Sequence, residues 1–477
     1  MRHFLLLFLA AGLLLADPAA GQINPTDPKV PHPFWFKSYA QGLPAGIFQP
    51  TCITFDQQDR LWVANLTGTI IRLEDKNRDG KADIPYYLFP YPNANLPGLE
   101  GILFVGSDMW VSFKGGTGTV GIFKDTNKDG DPDPVFTQVV GQIPVNYHQN
   151  NQLVLGSDGW IYFSVGAYNN AQAVYPNLAT ILRLDPAAAN PGATLEVFAT
   201  GLRNCYDLCF DTKGNLFAGE NGRDDLGLQA PPEELDHVVK GGFYGFPNEG
   251  SGTIPPVATF APHSSPCGLV QYNHTRFPGF AGDLLMVLYS SLPVFSAVNT
   301  PANTRKVVRV ELSPSGSTFT GKVQDWVTHF GLADPPLDLT VSPEGEVFMI
   351  THNPNYLPDA RVLKISHPYL KVEGQARRGA QLPVRTWGKT GWSVFVLCGL
   401  PAPLPLPLPM GEFGLDLRFF FLCSSGFTGA DDQHLTNLPI PNDPALAGAK
   451  LALQGIVGPL TQPQLLVLTN WEPFTIK

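Results

Sequence analysis

Between residues 51 and 352 short apolar runs alternate with polar turns, and one pattern keeps returning: a run with apolar residues at every second position, a tight turn, and a second such run. CITFDQQDRLWVANL, GILFVGSDMWVSF, NQLVLGSDGWIYFSVG, YDLCFDTKGNLFAGEN, GLVQYNHTRFPGFAGDLLMVLYSS and LDLTVSPEGEVFMITHN are six copies of it. Period-two alternation around a Gly-, Asp- or Ser-bearing turn predicts an antiparallel hairpin each time. The turns open at Asp56, Gly106, Gly156, Asp211, Asn273 and Ser342, at intervals of 50, 50, 55, 62 and 69 residues. Further strand-like runs follow most hairpins, at residues 69–73, 120–123, 179–184 and 307–312. Four strands per unit and six units predict an all-β fold, a six-bladed β-propeller. Each unit has apolar sheet faces that only a neighbour can cover, so the units must close into a ring. An array of sandwiches or a β-helix accounts for neither the period nor the two hairpins per unit.

Past residue 365 the repeat stops. Strand-like runs at 392–398, 415–422, 450–454 and 464–469 surround PAPLPLPLP at 401–409, which is too apolar for a solvated linker and is expected to lie extended against a sheet. Residues 370–477 are therefore assigned to a small C-terminal β-sandwich and residues 22–369 to the propeller. Residues 1–21 read as a cleaved signal peptide: a basic start, an apolar run at 4–16 too short to span a bilayer, and Ala19-Ala20-Gly21 before Gln22. A periplasmic or extracellular protein without a membrane span is expected.

Composition agrees with many short strands, since only 15% of residues are charged while Gly (48) and Pro (46) are frequent. A net charge of −10 argues against nucleic acid as a partner and means that an anionic ligand needs locally gathered cations. Export would make disulfides available to the six cysteines. Cys205 and Cys209 lie on one strand face about 13 Å apart and cannot bridge. Cys398 and Cys423 are the expected pair, and six buried thiols are the alternative. No cysteine spacing resembles a zinc site.

In a propeller the loops entering the innermost strands line one mouth of the central channel. Here they are residues 46–51, 95–100, 145–150, 201–204, 263–267 and 333–337, which bring Gln49, Glu100, His148, Arg203, Asn204 and His263 to one cavity, with Asn221 and Gly222 beside it. Two acidic loops, Asp75, Asn77, Asp79, Asp83 and Asp125, Asn127, Asp129, Asp133, both spell D-x-N-x-D-G-x-x-D. Oxygen ligands at these positions and a Gly at the bend suit calcium. The twelfth positions are Tyr86 and Phe136, so neither loop has the bidentate Glu of an EF-hand, and a plain hairpin turn is the alternative. His148 stands just before an inner strand; an unperturbed histidine titrates near neutrality and suits a general base, and a packed hydrogen-bonding residue is the alternative.

The stretch from 201 to 247 reads GLRNCYDLCFDTKGNLFAGENGRDD and then, after a Pro-rich insertion, EELDHVVKGGFYGFP. This wording resembles the soluble quinoprotein glucose and sorbosone dehydrogenase family, with its Arg-Asn, Glu-Gln/Asn-Gly and Lys-Gly-Gly-x-Tyr-Gly-Trp/Phe-Pro segments. The resemblance implies pyrroloquinoline quinone as cofactor, a calcium ion that polarises it, and a sugar or sugar aldehyde as substrate. It makes His148 the base that takes the hydroxyl proton while hydride passes to the quinone, and Arg203 with Asn204 the contacts to the quinone oxygens. Asn221 and Gly222 match the segment that touches the cofactor and offers carbonyls to calcium. Three features depart from the pattern, one being the blade-five Lys, which has no counterpart near Tyr289-Ser290-Ser291. The blade-six loop, Ala333-Asp334-Pro335-Pro336-Leu337-Asp338, lacks the arginines that grip the tricarboxylate, and Ala167 stands where an Asp orients the base. Arg223, with Lys240 and Arg305, is left as a candidate cation for the carboxylates. No haem-attachment motif is present, so electrons would leave through an external acceptor. Two readings follow: a quinoprotein dehydrogenase of a small sugar, or a calcium-bearing propeller that binds glycan or protein at the same mouth without catalysis.

Overall fold

The computed structural model describes residues 28–40, 49–89, 96–145, 148, 150–172, 175–227, 231–248, 254–289, 305–330, 334–352 and 360–477. The expected signal peptide lies outside them. Each predicted hairpin is present as an antiparallel pair. Blade one opens with Pro50–Phe55 and Leu61–Asn65, blade two with Leu99–Val105 and Asp108–Phe113, and blade three with Asn150–Leu155 and Ile161–Val165. Blade four opens with Cys205–Phe210 and Leu216–Glu220, blade five with Pro266–Gln271 and Leu284–Leu288, and blade six with Pro336–Val341 and Val347–Thr351. Every one of these pairs belongs to a four-stranded sheet. The first strands of the blades pack against one another in order, and the sixth returns to the first, so the six sheets form a closed ring.

Ring closure uses a strand that the repeat pattern did not single out. Trp35–Ala40, near the start of the described chain, pairs antiparallel with Val362–Ser366 and supplies the outer strand of blade six. The interfaces between blades are apolar, as the repeat argument requires. Trp62, Ile70, Met109 and Val111, for example, are buried in one cluster between blades one and two.

The first strand of every blade is bulged, at 50/52, 99/101, 150/153, 205/208, 266/269 and 336/338. A bulge leaves main-chain groups without a ladder partner, and side chains of adjoining blades take several of them. Thr51 Oγ1 donates to Leu99 O (2.6 Å) and Asn151 Nδ2 donates to Cys205 O (2.8 Å). Asp207 Oδ2 accepts from Leu269 N (2.8 Å), and Asp338 Oδ2 accepts from Ile53 N (2.9 Å). Two bonds cross the channel between opposed blades: Tyr206 Oη donates to Thr51 O (2.5 Å), and Gln152 Nε2 donates to Asp338 Oδ2 (2.7 Å). They tie opposite sides of the ring together across the channel.

After the propeller come a three-stranded sheet, with Gln381–Trp387 between Tyr369–Val372 and Gln433–Pro439, and a four-stranded sheet of Gly411–Phe427, Ser393–Leu408, Lys450–Gly458 and Val467–Thr475. Leu382 and Val384 of the first share a core with Val394, Val396 and Leu453 of the second, which is the expected sandwich. The proline run forms the end of Ser393–Leu408 and pairs with Gly411–Phe427, while pairing on its other side stops at Gly399. Prolines at alternate positions lack the N–H groups a second neighbour would need. The sandwich rests on the propeller: Trp35 Nε1 donates to Asp432 Oδ2 (3.2 Å), and buried Arg276 lies 4.9 Å from the Trp387 ring centroid. All six cysteines are thiols, so the expected Cys398–Cys423 disulfide is not formed, although the two thiols are in hydrogen-bonding contact.

Candidate active site at the propeller mouth

The site is assembled where blades three and four meet. Their first strands begin at Asn150 and Cys205, so the residues just before them, His148 and the Arg203-Asn204 pair, stand at the same end of the ring. Gly166, which follows the second strand of blade three, is the contact between them. A Cβ there would lie 2.3 Å from His148 Cβ and 2.7 Å from Asn204 Oδ1, so only glycine lets these two side chains close on it. Asn204 Oδ1 also accepts from Asn151 Nδ2 (3.1 Å), and Asn151 is fastened in turn to Ser164 Oγ (3.0 Å). The Asn204 side chain is thus held by a buried amide.

Arg203 is 2% exposed, and its guanidinium is met from three sides. Nη1 donates to Asn221 O (3.1 Å), and Nη2 donates to Asn170 Oδ1 and to Asp224 Oδ2 (2.6 Å). Its main-chain N–H donates to Glu220 Oε1 (2.5 Å), and Asn221 N donates to Asn204 O (2.9 Å), which locks the two polar clusters of the blade-four hairpin together. Asp224 also reaches His263, with 3.3 Å from Oδ1 to Nδ1. Gly222 N donates to Glu233 Oε2 (2.6 Å). Burial pushes the Glu233 carboxyl up to about 7, against the pull of its bonds to Gly222 and His263.

His148 is pushed down to about 3, first by burial and then by the positive charges of Arg203 and Lys114. At neutral pH its imidazole is uncharged, and with a pKa so far below neutrality it is a weak proton acceptor until an anion offsets the neighbouring cations. Two cations next to a buried imidazole also mark where an anion would be favoured.

Of the residues expected at the site, His148, Arg203, Asn204 and Asn221 are brought together by these contacts, and Gly222 follows Asn221 in the chain and donates to Glu233. Gln49, Glu100 and His263 are buried at the expected loops. Arg223 is engaged elsewhere, with Asp225 (Nη2 to Oδ2, 2.8 Å) and Pro247 O (3.0 Å). The two acidic loops join the third and outer strands of blades one and two, so they are not part of the mouth. They share one conformation: Arg78 and Lys128 have φ near 60°, and Gly80 N and Gly130 N donate to Asp75 Oδ2 and Asp125 Oδ2 (2.9 and 3.0 Å). At the entrance to blade six Asp334 is paired with Arg361.

Residues 44–354 match the family described as Domain of unknown function (DUF7133), which takes in more than half of the chain. The chain belongs to that family. Among curated proteins it is similar to quinoprotein glucose dehydrogenase B of Acinetobacter calcoaceticus, 28% identical over 130 residues, which cover 21% of this chain and 26% of that protein. The chain thus matches about a quarter of that relative's length. In fold it is similar to the holo form of the pyranose dehydrogenase PQQ domain from Coprinopsis cinerea, with TM-score 0.57, 16% identity and coverage of 74% of this chain and 100% of that one. It is also similar to the PQQ-bound aldose sugar dehydrogenase of Streptomyces coelicolor, with TM-score 0.52, 19% identity and coverage of 71% and 99%. The resemblance to soluble quinoprotein sugar dehydrogenases is therefore present in both sequence and fold.

Several residues at the site were not singled out from sequence. Lys114 sits in VSFKGG, where a lone Lys after a strand carries no pattern. Asp224, in the acidic end of ENGRDD, reads as a solvated turn until the fold sets it on Arg203. Asn151 and Asn170 look like ordinary loop amides. Position 167 does hold an alanine beside the site, and its N–H donates to Arg203 O (2.6 Å).

Proposed function

We propose that this protein is a quinoprotein dehydrogenase that oxidises a small sugar or sugar aldehyde at the propeller mouth, with pyrroloquinoline quinone as cofactor and His148 as base. The observation that carries the reading is a buried, uncharged His148 set against Asn204 and Gly166, with Arg203 and Lys114 as its cationic neighbours. The residues present fit the group in two respects. An anionic cofactor meets positive charge beside His148, and Asn221 O already faces a cation, the Arg203 guanidinium, as a carbonyl that also serves calcium would. When bound, the cofactor supplies a two-electron hydride acceptor.

Arg203, Asn204 and the Asn221-Gly222 segment would hold it, and Lys114 would add charge. The Nε2 or Nδ1 of neutral His148 would accept the proton of a substrate hydroxyl. The buried position of His148 would exclude water from that transfer, and the Asn151–Asn204 chain would keep the neighbouring amide in place. Asp224 now neutralises Arg203, so an incoming anion competes with it for the guanidinium. Export to the periplasm or beyond, an external electron acceptor and calcium at the acidic loops belong to the same proposal. The blade-six loop, residues 333–338, carries no arginine of its own, and Arg361 beside it is taken up by Asp334, which favours a second reading, a propeller that binds a ligand without oxidising it.

The test is titration of calcium-loaded protein, lacking residues 1–21, with pyrroloquinoline quinone by calorimetry, followed by dye-linked oxidation of aldoses. Binding that weakens at least tenfold in Arg203→Ala, and oxidation that falls roughly 10²–10⁴-fold in His148→Ala, are expected. Unchanged oxidation in His148→Ala would remove the base. No binding at tens of micromolar would leave the ligand-binding reading.

A further inference from the structure

Behind the mouth, blade four holds a group of charges that the proposed chemistry does not use. Leu216–Glu220 and Glu233–Val238 are antiparallel neighbours, with Glu220 opposite Glu234 and Ala218 opposite Asp236. The pleat therefore sends the side chains of Glu220, Glu234 and Asp236 to one face of the sheet. That face is covered by packing between blades three and four, where Leu202, Cys205, Ala218 and Tyr244 form one buried cluster. One carboxylate oxygen from each of the three acids lies within 4.8 Å of the other two.

Asp236 makes this arrangement informative. It is fully buried, and neither of its carboxylate oxygens has a hydrogen-bond donor among the described residues. An ionised carboxylate removed from water with no donor costs several kcal/mol, so buried charges are paired or coordinate metal. Its strongest charged neighbour is Glu234, which repels it. A proton shared between two oxygens would relieve one contact and leave the third carboxylate facing the pair. A cation held at 2.3–2.6 Å from each oxygen would serve all three, and ligands of such an ion lie at most about 4.6–5.2 Å apart. The observed spread fits inside that limit.

We infer that Glu220, Glu234 and Asp236 form a binding site for a hard divalent cation of calcium's class, between blades three and four. An all-carboxylate donor set selects hard ions over zinc or copper. The site is separate from the acidic loops of blades one and two and from the carbonyl of Asn221. Glu220 has a second bond that gives the ion a role: its Oε1 accepts the main-chain N–H of Arg203. The cation fixes Glu220, and Glu220 fixes the backbone from which Arg203 reaches the mouth. The existence of the site does not depend on the dehydrogenase reading; only its consequence for the mouth does.

The experiment uses the full mature chain, stripped with EDTA and dialysed, with thermal unfolding followed as Ca²⁺ is added to millimolar concentration and binding stoichiometry measured by calorimetry. Wild type is expected to gain several degrees in Tm, as binding to the native state requires. Asp236→Asn and Glu234→Gln are each expected to lose one calcium equivalent and most of that gain. A variant with Asp75→Asn and Asp125→Asn retains the equivalent that Asp236→Asn loses. A Ca²⁺-dependent gain in Asp236→Asn equal to that of wild type would overturn the site. So would a stripped wild type that is indifferent to Ca²⁺ and is stabilised by Asp236→Asn, since a shared proton then explains the cluster. Should Asp236→Asn fail to fold, Glu234→Gln decides alone, because Glu234 is only partly buried: a retained calcium equivalent overturns the site and a lost one supports it.

Discussion

Glu233 and His148 are perturbed in opposite directions within one small region, and each makes a statement about stability. The Glu233 carboxyl holds its proton to about pH 7 in the folded chain and to its usual value of 4.5 in the unfolded one. Its contribution to stability is therefore complete below pH 4.5 and is lost as pH rises through 7. His148 has the reverse sign: folded at about 3 against 6.5 unfolded, its contribution is complete above pH 6.5 and is lost as pH falls toward 3. Glu233→Gln is expected to abolish the Glu233 part of the slope, so that denaturant unfolding between pH 4.5 and 7 declines less with pH in the variant than in wild type. Parallel curves would mean that Glu233 is ionised in the folded protein. His148, Arg203 and Asn204 were legible from sequence because a histidine just before a strand and an Arg-Asn before a hairpin are local features. Asp224 was not, since the same Asp on an open turn would be solvated, and only the fold places Arg203 under it.

Among elements, the bulged first strands do the joining that flat ladders could not. A regular strand spends its N–H and C=O groups within its own blade, whereas a bulge releases one for the next blade. Asn151 is the densest of these joints, donating to Ser164 Oγ, Asn204 Oδ1 and Cys205 O. Asn151→Ala should leave Ser164 Oγ as the side-chain donor to Cys205 O and take the amide donor from Asn204 Oδ1, at a cost of about 1–3 kcal/mol by denaturant titration. It should also loosen Asn204, which hydrogen exchange at the Asn221 amide, bonded to Asn204 O, would register; unchanged stability and exchange would show that Asn151 does not hold Asn204 in place. The hairpins themselves were readable because alternation at period two is a property of neighbours in sequence. The bulges were not, because a one-residue irregularity in a strand barely alters that alternation. The proline run was readable for another reason: prolines forbid pairing on one side whatever surrounds them.

At the scale of the molecule, stability depends on a ring closed by a strand from the other end of the chain. Removing residues 28–40 would strip blade six of its outer strand and expose the Val362–Ser366 edge. The truncated protein is expected to unfold several degrees lower, with the largest rise in amide exchange along Val362–Ser366 rather than in blades two to four. An unchanged melting curve would show that the ring holds without this strand. Buried Arg276 lies against Tyr369 and Trp387 of the sandwich side and pairs with Glu346 of blade six at 3.2 Å, so the sandwich is seated on the same sector that the closing strand completes.

The amino-acid sequence by itself determined the six hairpins, their spacing, the β-sandwich after them and the loops that meet at one mouth. Each of these follows from short-range alternation and turn chemistry, which act before the chain has a shape. The tertiary structure alone decided that Trp35–Ala40 closes the ring, that Asp224 lies on Arg203, that the charge of Lys114 is felt at His148, and that three carboxylates converge behind the mouth. These are encounters between residues far apart in the chain or across a sheet, selected by the burial of whole blade faces. No local pattern encodes them, because the same residues in an open chain would simply be solvated.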